Sequence, residues 1–126
     1  MYTISKEFHF SASHELKGLP EDHPCTKLHG HNYIVKVEFS NAVLNGVGFV
    51  IDYRELQPIK DWIDNKLDHQ HLNNVLDFNP TAENMAKYFY EKFKELIWQT
   101  SAVEVKETPK TIARYEPANN SIRHKI

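Results

Sequence analysis

From Tyr2 onward the even positions Tyr2, Ile4, Phe8, Phe10 and Ala12 are mostly apolar, and Thr3, Ser5, Glu7 and His9 alternate with them. A period of two marks a strand with one buried face. It places His14 on the core-facing side if the strand runs that far. Gly18, Pro20 and Pro24 then make a loop. From His29 the odd positions Tyr33, Val35, Val37 and Phe39 are apolar, so a second strand is predicted to about Ser40. Asn45-Gly46 and Gly48 signal a turn, and Gly48 to Ile51 reads as a short third strand.

The period then changes. Leu56, Ile59, Ile63 and Leu67 share one face of a helix predicted over Glu55 to Leu67, with Pro58 delaying the regular part. A second helix is marked by the Pro80-Thr81 cap and by Ala82, Met85, Ala86, Phe89, Phe93, Leu96 and Ile97. Strands follow at about Ala102 to Glu107, with Val103 and Val105 inward, and near Thr111 to Tyr115. Strands, two helices and strands, joined by short loops, predict an α+β domain: an antiparallel sheet with its helices on one face.

Composition narrows the class. A chain of 126 residues with 40% apolar and 25% charged residues fits one globular domain, taken here as residues 1–116. The tail from Pro117, PANNSIRHKI, is expected to be mobile. A formal net charge of −2 argues against broad nucleic-acid binding. The single cysteine, Cys25, forms no internal disulfide, so a reducing, cytoplasmic setting is expected. MYTISKEFHF carries Lys6 and Glu7 and has no long apolar run, so no signal peptide or membrane anchor is expected.

The candidate chemistry starts at CTKLHGHNY. Residues i and i+2 of a strand share a face, so His29 and His31 project side by side with the parity of Tyr33 and Val35. Two core-facing imidazoles need partners, and one ion would satisfy both; the other reading of this pair alone is two satisfied or solvent-exposed histidines at the strand's frayed start. If the first two strands form an antiparallel hairpin, the end of one lies beside the start of the next and His14 joins them. Three imidazoles with an open fourth position suit a catalytic zinc site. His9, His23 and His124 have no such geometry and read as surface residues.

Four other residues stay open at this level. Cys25 reads either as a small buried side chain, as a thiolate favoured by Lys27, His23 and an ion, or as a fourth metal ligand. Asp68 beside His69 offers a carboxylate–imidazole pair for proton transfer, but such dipeptides are common at helix ends, and alone the structural reading is favoured. Glu107 follows Val103 and Val105 on the inward parity and needs donors, which a heterocycle's N–H groups or Arg114 could supply.

Taken together, FSASH, the C-x-x-x-H-G-H of Cys25 to His31, VIDYREL, LDHQHLN, NPTAEN and VKET resemble the 6-pyruvoyltetrahydropterin and 6-carboxytetrahydropterin synthase family, from about residue 5 to residue 115. The three-residue gap before His29 resembles the bacterial carboxytetrahydropterin branch of queuosine biosynthesis. The resemblance implies a tunnelling fold, with a four-stranded antiparallel sheet and two helices on one side. It also implies trimers closed as barrels and stacked as a homohexamer, with sites between subunits. It implies zinc on His14, His29 and His31, a proton-transfer set of Cys25, Asp68 and His69, and a pterin ring anchored by Glu107. The implied reaction is that of a carbon–carbon lyase: 7,8-dihydroneopterin triphosphate gives 6-carboxy-5,6,7,8-tetrahydropterin, acetaldehyde and triphosphate. Lys27, Lys106 and Arg114 are positional candidates for the phosphates. Glu15 stands where the family often has arginine, which bears on triphosphate affinity. The pyruvoyl-forming reaction and a non-catalytic zinc-stabilised binding module are the alternatives.

Overall fold

A computed structural model describes residues 1–118. The expectation of a mobile tail falls, from residue 119 onward, outside the described residues. The strands are β1 (Tyr2–His14), β2 (His29–Asn41), β3 (Gln70–His71), β4 (Thr100–Lys106) and β5 (Ala113–Tyr115). The helices are α1 (Gln57–Lys66), α2 (Leu72–Val75) and α3 (Ala82–Leu96). The sheet order is β3-β1-β2-β4-β5.

β1 and β2 are antiparallel over their full length, from Tyr2 opposite Asn41 to His14 opposite His29. The register sends Phe8, Phe10, Ala12 and His14 to the same face as Val35, Tyr33, His31 and His29. That face meets the helices: Phe10 lies edge-on to Phe89, and Trp62 packs on Phe89 and Phe93. The core contains Leu56, Ile59, Ile63 and Leu67 from the first helical segment, and Met85, Ala86, Phe89 and Phe93 from α3. Burying such side chains contributes about 1.5–3 kcal/mol each, and this, more than helix propensity, holds the two helices. Thr81 caps α3 by accepting from the Asn84 N–H at 3.1 Å, and Pro58 sits in the first turn of α1, where its missing N–H costs nothing.

Two expectations need correction. Gly48 to Ile51 forms no strand. Asn45 Oδ1 accepts from the N–H groups of Val47, Gly48 and Phe49 at 3.0–3.1 Å, winding the segment into a loop with Gly48 at φ 98°. Val50 and Ile51 are apolar because they plug the core, not because they pair. The sheet also exceeds four antiparallel strands, since β3 adds to the outer edge of β1 in parallel, Ala12 opposite Gln70 and Ser13 opposite His71.

That edge is tied down twice more. Asn73 exchanges hydrogen bonds with the backbone of Glu15, and Asn79 with that of Lys17. The loop leaving β1 is therefore pinned to the segment that follows α1, which fixes the frame of the site.

Candidate functional site

The end of the β1–β2 ladder carries His14, His29 and His31, whose ligand atoms all lie within 4.8 Å of one another. His14 Nε2 is 3.0 Å from His29 Nε2. Tetrahedral ligands at about 2.0–2.1 Å from zinc stand roughly 3.3–3.4 Å apart, so small side-chain shifts would admit an ion. His29 Nδ1 donates to the Lys27 carbonyl at 2.7 Å, and Tyr33 Oη lies 2.5 Å from His14 Nδ1. Among the described residues, His31 Nε2 is buried without a hydrogen-bond partner. A buried imidazole nitrogen without a hydrogen bond, in a cluster of three imidazoles whose ligand atoms are this close, is what a site built for a cation looks like, so these residues fit a metal.

His14 is fully buried. Burial, reinforced by His29, His31 and His71, lowers its pKa to about 4, so it is neutral and ligand-competent at pH 7. Burial, with a smaller push from Glu107, holds the Tyr33 phenol far above its usual range.

Glu107, just past β4, keeps the inward parity of Val103 and Val105. Its Oε2 lies 3.5 Å from His31 Nε2 and 3.7 Å from His14 Nε2. With His14 neutral, the second contact is not an ion pair. Arg114 is not its partner: it pairs instead with Glu38, Glu104 and Glu116. Those carboxylates, Glu38 foremost, raise its pKa further. A guanidinium engaged with three carboxylates is a poor candidate for phosphate.

Asp68 and His69 occupy a turn between α1 and β3. Asp68 Oδ1 accepts from the Ser11 N–H at 2.9 Å, and the His69 N–H donates to the Ser11 carbonyl at 2.7 Å. Both bonds anchor the turn to β1. His69 sits at φ 59°, a left-handed conformation uncommon outside glycine, with its ring 82% exposed and its Nε2 3.5 Å from Asp68 Oδ2. A groove of about 760 Å³ gathers Asp68, His69, His31, Tyr33, Glu107 and, among others, His9. A contiguous groove of about 450 Å³ runs over Ser11, Ser13 and Gly30 to His71. Gly30 faces it without a side chain.

Cys25 lies in a short 3-10 turn, Pro24–Thr26, half-buried. Its N–H donates to His23 Nδ1 at 3.1 Å, and its carbonyl accepts from the Leu16 N–H at 2.9 Å. The thiol belongs neither to the three-imidazole cluster nor to the lining of the larger groove. The structure thus brings together His14, His29, His31 and Glu107, sets Asp68 and His69 on the same groove, and leaves Cys25 apart.

Sequence reasoning overlooked Tyr33 and the groove contribution of His9. Tyr33 had a signal, since it shares the parity of His29 and His31 two residues on. His23 is more than a surface residue, because it orders the Cys25 backbone.

The structure is an α+β sheet with three imidazoles that could hold a metal ion at one end of its central hairpin, beside a groove. Residues 3–118 match the family described as 6-pyruvoyl tetrahydropterin synthase. The chain is similar to 6-carboxy-5,6,7,8-tetrahydropterin synthase of Synechocystis, with 34% identity over 91% of this chain and 93% of that protein. It is 30% identical to the protein of that name from Haemophilus influenzae, covering 92% and 99% of the two chains. The solved 6-pyruvoyl tetrahydropterin synthase of Caenorhabditis elegans superposes with a TM-score of 0.82 at 29% identity, over 93% of this chain and 96% of that one.

The chain belongs to the 6-pyruvoyl tetrahydropterin synthase family. It has that family's tunnelling fold and is an enzyme of the pterin synthase type.

Proposed function

We propose that this enzyme converts 7,8-dihydroneopterin triphosphate into 6-carboxy-5,6,7,8-tetrahydropterin, releasing acetaldehyde and triphosphate, as a cytoplasmic step toward queuosine. The observation that carries the reading is the cluster of His14, His29 and His31, in which the buried His31 Nε2 has no hydrogen bond among the described residues and lies beside Glu107. The Synechocystis and Haemophilus relatives bear the name of this activity.

In this reading His14, His29 and His31 hold zinc. When bound, the ion supplies a Lewis acid that acidifies the substrate's side-chain hydroxyls and polarises a carbonyl. Glu107 accepts hydrogen bonds from the N–H edge of the pterin ring and so fixes the side chain's distance from the imidazoles. Asp68, anchored by the Ser11 N–H, orients His69, whose exposed ring carries protons at the groove. The Cys25 thiolate removes a carbon-bound proton. In this reading the working site is completed between copies of the chain, in a homohexamer of two trimers; that Cys25 does not line the groove of Asp68 and His69 supports it. Lys27 and Lys106 remain candidates for the phosphates.

The name of the C. elegans structure favours one second reading, formation of 6-pyruvoyltetrahydropterin at the same residues. Mass-spectrometric product analysis of the zinc-loaded protein with 7,8-dihydroneopterin triphosphate separates the two. Carboxytetrahydropterin with acetaldehyde supports the first reading and the pyruvoyl product the second; zinc loading without turnover would sink both. A Cys25→Ala protein mixed with a His69→Ala protein should recover activity only if sites are shared between copies.

A further inference from the structure

We propose that Tyr33 is a positioning residue that sets the tautomer of His14, and that cation binding reverses the direction of the hydrogen bond between them. The inference rests on the cation reading above and concerns how this chain prepares its ligands.

The proton positions follow from one carbonyl. The Lys27 oxygen can only accept, so His29 Nδ1, 2.7 Å away, carries a hydrogen. In the neutral form, the one in which an imidazole ligates, His29 has that single N–H and its Nε2 is a bare lone pair. His14 Nε2 lies 3.0 Å from it and must therefore be the donor. His14 Nδ1 is then bare, and it accepts the Tyr33 O–H at 2.5 Å. A single directed chain results, from the Tyr33 hydroxyl through His14 and His29 to the Lys27 carbonyl.

That chain leaves the two imidazoles unequally prepared. His29 already presents Nε2 with Nδ1–H tied back to backbone, the arrangement a ligand imidazole needs. His14 is the reverse: its Nε2, the nitrogen facing the cluster, carries a proton. To serve an ion it must hold that proton on Nδ1 instead, with the charge of the ring unchanged. The group facing Nδ1 must then turn from donor to acceptor. A hydroxyl does both; a phenyl ring does neither. Tyr33 is fully buried, with its ring stacked on Phe10 at a centroid distance of 4.7 Å, so the hydroxyl is held at this nitrogen. Replacing it with phenylalanine keeps the packing ring and leaves the Nδ1–H of a liganded His14 facing carbon.

The test is long-range proton–nitrogen NMR of the imidazoles at pH 8, on the metal-free protein and after one equivalent of zinc, with chelator-competition titrations of wild type and Tyr33→Phe. His14 should show Nε2–H without metal and Nδ1–H with it. Tyr33→Phe should weaken zinc binding about 10- to 100-fold, the range for losing a ligand's outer partner, with the near-ultraviolet circular dichroism retained. Nδ1–H at His14 already in the metal-free protein, or equal affinity in the two proteins, overturns the inference. Failure of the wild type to take up zinc overturns the cation reading and the reversal together. That outcome is distinct from equal affinity in two proteins that both load. The wild-type spectra decide the matter even if Tyr33→Phe fails to fold.

Discussion

The histidine end of the β1–β2 hairpin and the Asp68–His69 turn border the same groove, yet they are built in opposite ways. The histidines sit in register on two long strands, with His14 at zero exposure and every ring but His31's held by a hydrogen bond. The turn is tied to β1 by two bonds to Ser11 and closed by Asp68 N–H to the Ile63 carbonyl and Gln70 N–H to the Leu67 carbonyl, and it holds His69 in a left-handed conformation with 82% of its ring in solvent. A cation needs fixed donors at fixed separations, which a ladder supplies. A proton carrier needs access and some freedom, which a tethered turn supplies. On the proposed roles, the comparison sets buried, in-register side chains where ligand geometry would decide the chemistry, and an exposed ring where access would.

Breaking the ladder end should have the largest effect. His29→Ala removes one of three ligand imidazoles, and zinc uptake followed by elemental analysis should fall to background together with turnover. Full turnover without bound metal would end the cation reading. At the turn, His69→Gly should lower kcat about 10²- to 10⁴-fold, the usual worth of a proton-transfer group. Zinc content should stay unchanged, because glycine adopts φ 59° without strain. If zinc is lost as well, the two regions are not separable in the way described.

The pH response sharpens the contrast further. His14 has its pKa lowered from 6.5 to about 4, chiefly by burial. Between those values the unfolded chain takes up a proton that the folded, metal-free chain refuses. Stability should therefore fall as pH drops from 6.5 to about 4 and level off below, by at most on the order of 3 kcal/mol. Urea midpoints measured across that window check it, and His14→Asn should flatten the slope. The smallest change is at the tether. Asp68→Ala deletes one hydrogen bond to Ser11 and should cost about 1 kcal/mol, read as a drop of a few degrees in Tm, with faster amide exchange confined to β3. Unchanged exchange would mean that β3 stands without the tether.

Legibility in the sequence follows the same division. Period-two patterning in β1 and β2 made the ladder readable, and the ladder alone juxtaposes His14 with His29 and His31. The parity of Val103 and Val105 likewise carried Glu107 to the same place. Nothing local announces β3: two residues pair with β1 only because α1 delivers them there, and its parallel direction is a tertiary result. Val50 and Ile51 misled because two adjacent apolar residues look alike whether they pair or plug a core. Arg114 looked available to Glu107 or to phosphate by position, but its strand register places it on the face with Glu38 and Glu104. Only the family resemblance singled out Asp68 and His69 as a proton-transfer pair, and it implied that they face a neighbouring copy's Cys25 and zinc.

Gly30 runs past the groove as bare backbone between the two histidines. A Cβ built there would meet nothing nearer than the Ala12 carbonyl oxygen at 3.7 Å, an ordinary contact. The folded chain itself therefore has room for alanine at this position. Since no described residue stands in the way, intolerance of Gly30→Ala would point to a ligand or a neighbouring copy lying against the strand. A methyl group there is a feeler gauge: the loss of binding it causes measures how closely the visitor passes.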